Sequence, residues 1–187
     1  RKQARAERNT MEKRNIEEDT YKESYQLPKD FDEKVLKELK HLPTSISNEE
    51  VLRRRDMRNI LTFTIDPDDA KDFDDALSFQ ILDTGNYQIG IHIADVTHYV
   101  QEGTAVDEEA YQRGTSIYLV DRVIPMLPER LCNELCSLRP NEDKLCMSVI
   151  VEMDQHAKVI RHKICRTIIR SNHRLTYQQA QTMLEEA

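Results

Sequence analysis

No run in this 187-residue sequence approaches the roughly 20 consecutive apolar residues that a membrane-spanning helix needs, and residues 1 to 27 do not read as a secretory signal. Glycine is scarce: Gly85, Gly90, Gly103 and Gly114 stand far apart, which excludes a glycine-rich phosphate loop. The four cysteines, Cys132, Cys136, Cys146 and Cys165, lack CxxC spacing. That argues against a thiolate zinc site and for free thiols in a reducing compartment. No internal repeat and no βαβ pattern is evident. The expectation is a cytoplasmic protein, and a chain that starts at Arg1 instead of Met reads as an excised or processed segment of about one domain.

Charge is plentiful but uneven. Lys and Arg number 27 against 34 Asp and Glu, a net charge of −7, which argues mildly against a surface built wholly for nucleic acid. Yet Lys158, Arg161, Lys163, Arg166, Arg170 and Arg174 fall in one stretch without an acid, and such asymmetry says more than the total.

Residues 1 to about 27 are polar and without apolar period, as in a linker or a solvated helix. Phe31, Val35, Leu39 and Leu42 then mark one face of a helix that stops at Pro43, and Ser47-x-x-Glu50 caps a shorter one. From about residue 59 the period becomes that of strands. NILTFTI and ALSFQIL read as strands, and the latter forms a hairpin with YQIGIHIA through the turn DTGN. GTAVDEEAYQRG and LPERLCNELCS read as helices, the second with Pro128 in its first turn. LCMSVIVEM and VIRHKICRTII form a second hairpin, and Thr176-x-x-Gln179 opens a last helix. The fold class is α+β (mixed α/β): a mixed, largely antiparallel sheet flanked by helices. Residues 1–50 are expected to lead in from an upstream domain, and 51–187 to form the domain proper, continuing beyond Ala187.

The densest chemistry lies in TIDPDDAKDFDDAL, where Asp66, Asp68, Asp69, Asp72, Asp74 and Asp75 fall within ten positions. Two carboxylates about 6 Å apart at an effective dielectric near 20 repel by roughly 3 kcal/mol. The loop is therefore solvated, partly protonated, or host to a cation. Asp66 leaves one strand while Asp74 and Asp75 enter the next, so neighbouring strands would let Asp66, Asp72, Asp74 and Asp75 converge. All-oxygen ligation selects Mg²⁺, with Mn²⁺ as a substitute, and such a metal serves phosphodiester chemistry. An EF-hand is excluded, since Lys71 and Leu77 stand where its glycine and glutamate belong. A local alternative is a haloacid-dehalogenase-like phosphatase, with Asp66 as nucleophile and Asp68 as acid/base, although a hairpin follows where that fold needs a crossover.

Taken in order, TIDPDDAKDFDDAL, IHIADVTHYV, RGTSIYLVDRVIPMLPERL, LCSLRP and SNHRLTY resemble the catalytic RNB domain of the ribonuclease II/ribonuclease R family, nearer the ribonuclease R branch. The resemblance implies a Mg²⁺-dependent, processive 3′→5′ exoribonuclease that releases nucleoside 5′-monophosphates from single-stranded RNA. It implies Asp66 and Asp75 as direct metal ligands, Asp72 as a supporting one, and Asp74 as the acid closest to catalysis. Tyr118 matches the aromatic that stacks on the terminal nucleotide, a contact open to any base. Asp68 and Asp69 match positions not required to be acidic.

Other candidates keep two readings each. His92 shares a strand face with Gly90 and Ala94 and reads as a packed, hydrogen-bonded residue rather than a ligand. Asp95 either supports the site from behind or caps a turn. Arg161, Lys163 and Arg166 either track RNA phosphate or line a solvated strand. The VIPMLP loop reads as a rigid turn that places Tyr118. The resemblance also implies flanking oligonucleotide-binding (OB-type) domains and a downstream arginine, none of which is visible here, so this piece alone is expected to be weakly active or inactive. The alternative is a noncatalytic RNA-binding or structural relative of the same fold.

Overall fold

The structure, a computed structural model, describes residues 28, 30–119 and 122–186. The linker or solvated helix expected over residues 1 to 27 lies outside the described residues.

Local signals place the helices. Helix α1 (Glu33–His41) starts at Asp32, whose carboxylate accepts the Lys34 N–H at 2.9 Å, and it buries Val35 and Leu39. Helix α2 (Asn48–Leu52) is capped by Ser47, which accepts the Glu50 N–H at 3.2 Å. Helix α3 (Ala105–Arg113) runs from Thr104 to Gly114, where a φ of 70° suits a residue without Cβ. Helix α4 (Tyr177–Glu186) opens on a reciprocal box: Gln179 N–H donates to Thr176 Oγ1 at 3.1 Å, and Thr176 N–H donates to Gln179 Oε1 at 2.9 Å.

The strands are β1 (Arg55–Asp56), β2 (Leu61–Asp66), β3 (Asp75–Ile81), β4 (Tyr87–Ala94), β5 (Ile117–Tyr118), β6 (Val123–Ile124), β7 (Asp143–Met153), β8 (Val159–Arg170) and β9 (His173–Thr176). Seven of them form one mixed sheet in the order β1-β8-β7-β4-β3-β2-β9, and β5 pairs with β6 separately. Both predicted hairpins are present, and the outer pairs β1/β8 and β2/β9 are parallel. Strands β1, β5, β6 and β9 are absent from the sequence reading, because two to four residues carry no readable period.

Where an α-helix is predicted around LPERLCNELCS, the chain makes a π-helical turn at Arg130–Leu135, with Cys136 N–H donating to Leu131 O at 2.9 Å. Such a wide turn persists when tertiary contacts hold it. Leu131 is fully buried, and Arg130 donates to the carbonyls of Leu39 and Leu42 at the end of α1.

One sheet face carries the core. Ala76, Ala94, Cys146, Ile150 and Ile169 meet Val35, Leu39, Met57, Phe73, Tyr99, Val106, Leu131 and Leu138 from the covering segments. The polarity of β4 is the reverse of an ordinary half-buried strand. Gln88, Gly90, His92 and Ala94 point inward, while Ile91 and Ile93 are exposed. Leu77, Phe79 and Met147 join those isoleucines on the outer face.

Within the inward face a chain of hydrogen bonds crosses four strands. His92 Nε2 lies 2.9 Å from Ser78 Oγ, its Nδ1 lies 2.7 Å from Ser148 Oγ, and Ser148 Oγ lies 2.6 Å from Thr167 Oγ1. A neutral imidazole has one donor and one acceptor, and hydroxyls can serve either, so the chain closes without a charge. Gly90 makes room for it. A Cβ there would sit 2.3 Å from Ser78 Oγ and 2.5 Å from His92 Nε2.

Burial lowers the His92 pKa from 6.5 to about 4. Above the unfolded value both states are neutral and nothing is lost. As pH falls from about 6.5 to about 4, the unfolded chain takes up a proton that the folded one refuses. About 3 kcal/mol of stability should disappear across that window. Urea titrations of the wild-type protein and of His92→Gln at pH 7 and pH 4.5 check this: the wild type should lose more of its own stability than the variant loses.

Candidate active site

The antiparallel pairing of β2 and β3 reaches Phe63↔Leu77, and beyond it the two chains open into the aspartate loop. Asp66 closes β2 and Asp75 begins β3. Three sets of contacts hold the backbone between them. Ser137 Oγ accepts the Phe73 N–H at 3.1 Å and donates to Lys71 O at 2.8 Å, and Leu138 N–H donates to Phe73 O at 2.9 Å. Ala94 N–H donates to Asp74 O at 2.9 Å from the end of β4. From β9, Arg174 Nη2 donates to the carbonyls of Pro67 and Asp68, at 2.5 and 2.7 Å. Phe73 is buried in the core and anchors the middle of the loop.

The acids divide by environment. Asp66 is buried, and desolvation pushes its pKa up, with smaller contributions from the charges of Asp75 and Asp72. Thr64 and the charge of Arg174 counter this in part, although neither the Thr64 hydroxyl nor Asp66 Oδ2 makes a hydrogen bond of acceptable geometry. Asp74 reaches solvent, yet it sits among enough protein that desolvation is again the largest cause of a raised pKa, followed by Asp72, Asp75 and Asp66. Asp68 and Asp69 are exposed, as expected of loop positions outside the set.

A buried carboxylate oxygen without a partner on Asp66, with the charges of Asp72 and Asp75 adding to the raised proton affinity of Asp66 and Asp74, is donor chemistry suited to a hard cation. The residues fit such an ion by type and neighbourhood, though not as a closed cage: no three metal-ligating side chains among the described residues stand in a ligand arrangement.

Tyr118 lies on β5, 70% exposed, with β6 directly opposite as Tyr118↔Val123. Met126 N–H donates to Ser116 Oγ at 2.9 Å, and Val123–Ile124, expected to lie in a turn, instead form the strand that pairs with the tyrosine. Desolvation and then the charges of Asp72 and Asp74 raise the Tyr118 pKa. Burial and the same two aspartates push the Cys132 thiol up to about 11. Tyr118, Cys132, Asp72 and Asp74 therefore share one locality.

The basic strand is not one patch. Pairing places Arg161 opposite Glu152 and Lys163 opposite Ile150, on the inward face, whereas Arg166 pairs with Met147 on the outer face. Arg161 is engaged by Glu152 at 2.6 Å. Arg166 stands in the cross-strand row Asp75–Ile93–Met147–Arg166, three strand spacings or about 14 Å from Asp75. Asp95 begins the 3₁₀ turn Val96–His98 without a side-chain cap bond, and its carboxylate stands behind the end of β4 instead of among the acids. Its Oδ2 lies 2.7 Å from Arg54 Nη2, an ionic contact without hydrogen-bond alignment, and Thr97 Oγ1 donates to its Oδ1 at 2.7 Å. Burial pushes the Asp95 pKa up, but Thr97 and Arg54 outweigh it and the net shift is downward. His92 belongs to the buried network, as expected, and not to the acid site. The phosphatase reading fails on topology: an antiparallel hairpin follows Asp66, and Asp68 is turned out to solvent.

Comparison with known proteins decides the family, since the RNB domain profile matches residues 54–187. The chain belongs to the RNB domain family. Ribonuclease R of Thermotoga maritima is 46% identical over 159 residues, which is 85% of this chain and 22% of that protein. Ribonuclease R of Aquifex aeolicus is 48% identical over 160 residues, 86% of this chain and 23% of that protein. The chain thus spans less than a quarter of these curated relatives. Among solved structures, Mycoplasma genitalium RNase R in complex with ribose-methylated single-stranded RNA superposes with a TM-score of 0.78 at 31% identity, covering 86% of this chain and 25% of that one. Yeast Ssd1, described as a pseudonuclease, has the fold at a TM-score of 0.69 and 23% identity, covering 77% of this chain and 18% of that one.

Ser137, Arg174 and Arg54 hold the site in ways the sequence did not show: Ser137 and Arg54 received no role, and Arg174 entered only within the basic run from Lys158 to Arg174. The first two lie inside LCSLRP and SNHRLTY, so the signal was in view, while their targets, backbone atoms far along the chain, were not. Removing the Ser137 hydroxyl leaves the Phe73 N–H without its partner. Ser137→Ala should destabilise the protein by about 1–3 kcal/mol and speed amide exchange at Phe73, as measured by chemical denaturation and hydrogen exchange.

Proposed function

We propose that the protein carrying this RNB segment hydrolyses single-stranded RNA from its 3′ end and releases nucleoside 5′-monophosphates. The observation that carries the proposal is the shared locality of an exposed Tyr118 with Asp72 and Asp74, beside Asp66, whose inner carboxylate oxygen is unpartnered. Family membership and the ribonuclease R relatives support the reading.

In this reading Asp66, Asp72 and Asp75 hold Mg²⁺, with Mn²⁺ as a substitute. Held there, such an ion would make a coordinated water more acidic and offset charge on the phosphate. Tyr118 stacks on the 3′-terminal base, which accounts for sequence tolerance, and fixes the last nucleotide over the loop. Asp74, whose surroundings raise its proton affinity, holds or takes up a proton beside the phosphate. Arg166 is the basic-strand residue in the register row of the acids, and Arg161 and Lys163 contact RNA farther along. OB-type domains flank this segment in the whole protein and feed RNA to it. The Ssd1 likeness shows that the fold alone does not guarantee turnover, so an RNB relative that binds RNA without cleaving it is the second reading.

With Mg²⁺ and a 3′-overhanging RNA, the intact protein should release nucleoside 5′-monophosphates. Asp74→Asn should slow release by about 10²- to 10⁴-fold while leaving RNA binding nearly unchanged in a filter assay. Binding without any release by the wild-type protein would establish the second reading, and undiminished release by Asp74→Asn would remove Asp74 from the chemistry.

A further inference from the structure

We infer that Arg174 is a positioning residue for the carboxylate site, setting the shape of the loop after Asp66 through its backbone rather than through its charge; this rests on the metal reading proposed above. Arg174 is registered beside Thr64 on the edge strand β9, and Asp66 lies opposite Thr176 two residues on. Its guanidinium reaches past the end of β2 to the first turn of the aspartate loop. One nitrogen, Nη2, bonds both the Pro67 and Asp68 carbonyls. The same turn is closed by Ala70 N–H donating to Pro67 O at 3.1 Å, so Pro67 O accepts twice. The guanidinium carbon lies 5.6 Å from the centre of the Phe73 ring. A single side chain thus ties the start of the loop to its buried anchor.

The contact with the Asp68 carboxylate does not explain this arrangement. Arg174 Nη1 is 3.8 Å from Asp68 Oδ1, and the Asp68 side chain is 95% exposed, so solvent screens the pair. Both carbonyl bonds come from the one nitrogen Nη2, and it is the flat guanidinium behind it, facing the Phe73 ring, that sets where that nitrogen lies. A lysine ammonium preserves charge and can donate twice, but it has no plane to lay against the ring. Asp66 is joined directly to Pro67, so the direction in which its carboxylate leaves β2 depends on where the Pro67 and Asp68 carbonyls are held.

Charge and positioning predict opposite signs for cation binding. A nearby guanidinium acting only as a charge repels a divalent ion, and its removal would tighten binding. A guanidinium that shapes the ligand loop weakens binding when lost, by about 10- to 100-fold for a residue standing behind a ligand. The experiment is Mn²⁺ binding to the intact protein without RNA, read from the paramagnetic resonance of free Mn²⁺, with thermal melting alongside. Wild type should bind and the Asp66→Asn control should not. Arg174→Lys and Arg174→Gln should both bind at least tenfold more weakly while melting within a few degrees of the wild type. Unchanged or tighter binding by either variant overturns the inference. So does a loss of folding in both, which would make Arg174 a structural brace. A wild-type protein that binds no Mn²⁺ overturns the metal reading itself, a result distinct from one in which the variants match a binding wild type.

Discussion

Carboxylates that repel one another stay together only where the backbone beneath them is held more firmly than they push. Asp66, Asp72, Asp74 and Asp75 are anchored in that way, and their anchors are main-chain contacts. Ser137 and Leu138 grip Lys71 and Phe73, Ala94 grips Asp74, and Arg174 grips Pro67 and Asp68. None of these contacts uses up a carboxylate oxygen of the four acids. The site therefore keeps its negative charge available, and burial first, with the neighbouring carboxylates second, raises the proton affinity of Asp66 and Asp74.

The anchors depend in turn on the sheet. Ser137 follows a π-helical turn pinned to α1 by Arg130, Ala94 ends the strand whose centre is the His92 network, and Arg174 sits on a strand that exists only by pairing with β2. A buried ion pair between Arg54 and Asp95 fixes the chain just beyond Ala94. Breaking such a pair by removing one partner leaves a buried charge uncompensated, which is costly. Its role is to hold the end of β4 in place beside Asp74, so a residue with no contact to substrate still bears on the geometry of the acids.

Much of this was legible in the residues. Both hairpins and the caps at Ser47 and Thr176 follow from local pattern, whereas the separation of Asp68 and Asp69 from the other acids is implied by the family resemblance. What could not be read were long-range backbone contacts and short strands. The π-helical turn was missed because a widened turn keeps the composition of an α-helix. The basic run misled in one respect: counting charges along a strand ignores that alternate residues face opposite sides, so Arg161 and Lys163 part from Arg166. The isoleucines of β4 carry the same lesson, since their alternation marks a strand without saying which face lies inward.

The Ser78–His92 bond passes across the space where Gly90 has no side chain. These three positions are consequently one unit of sequence drift rather than three. A side chain can appear at position 90 only in a lineage that has already surrendered the ring at 92 or the hydroxyl at 78. Without the ring, Ser148 loses one of its two partners and keeps Thr167. Divergence here should proceed by joint replacement across β3, β4, β7 and β8, or not at all.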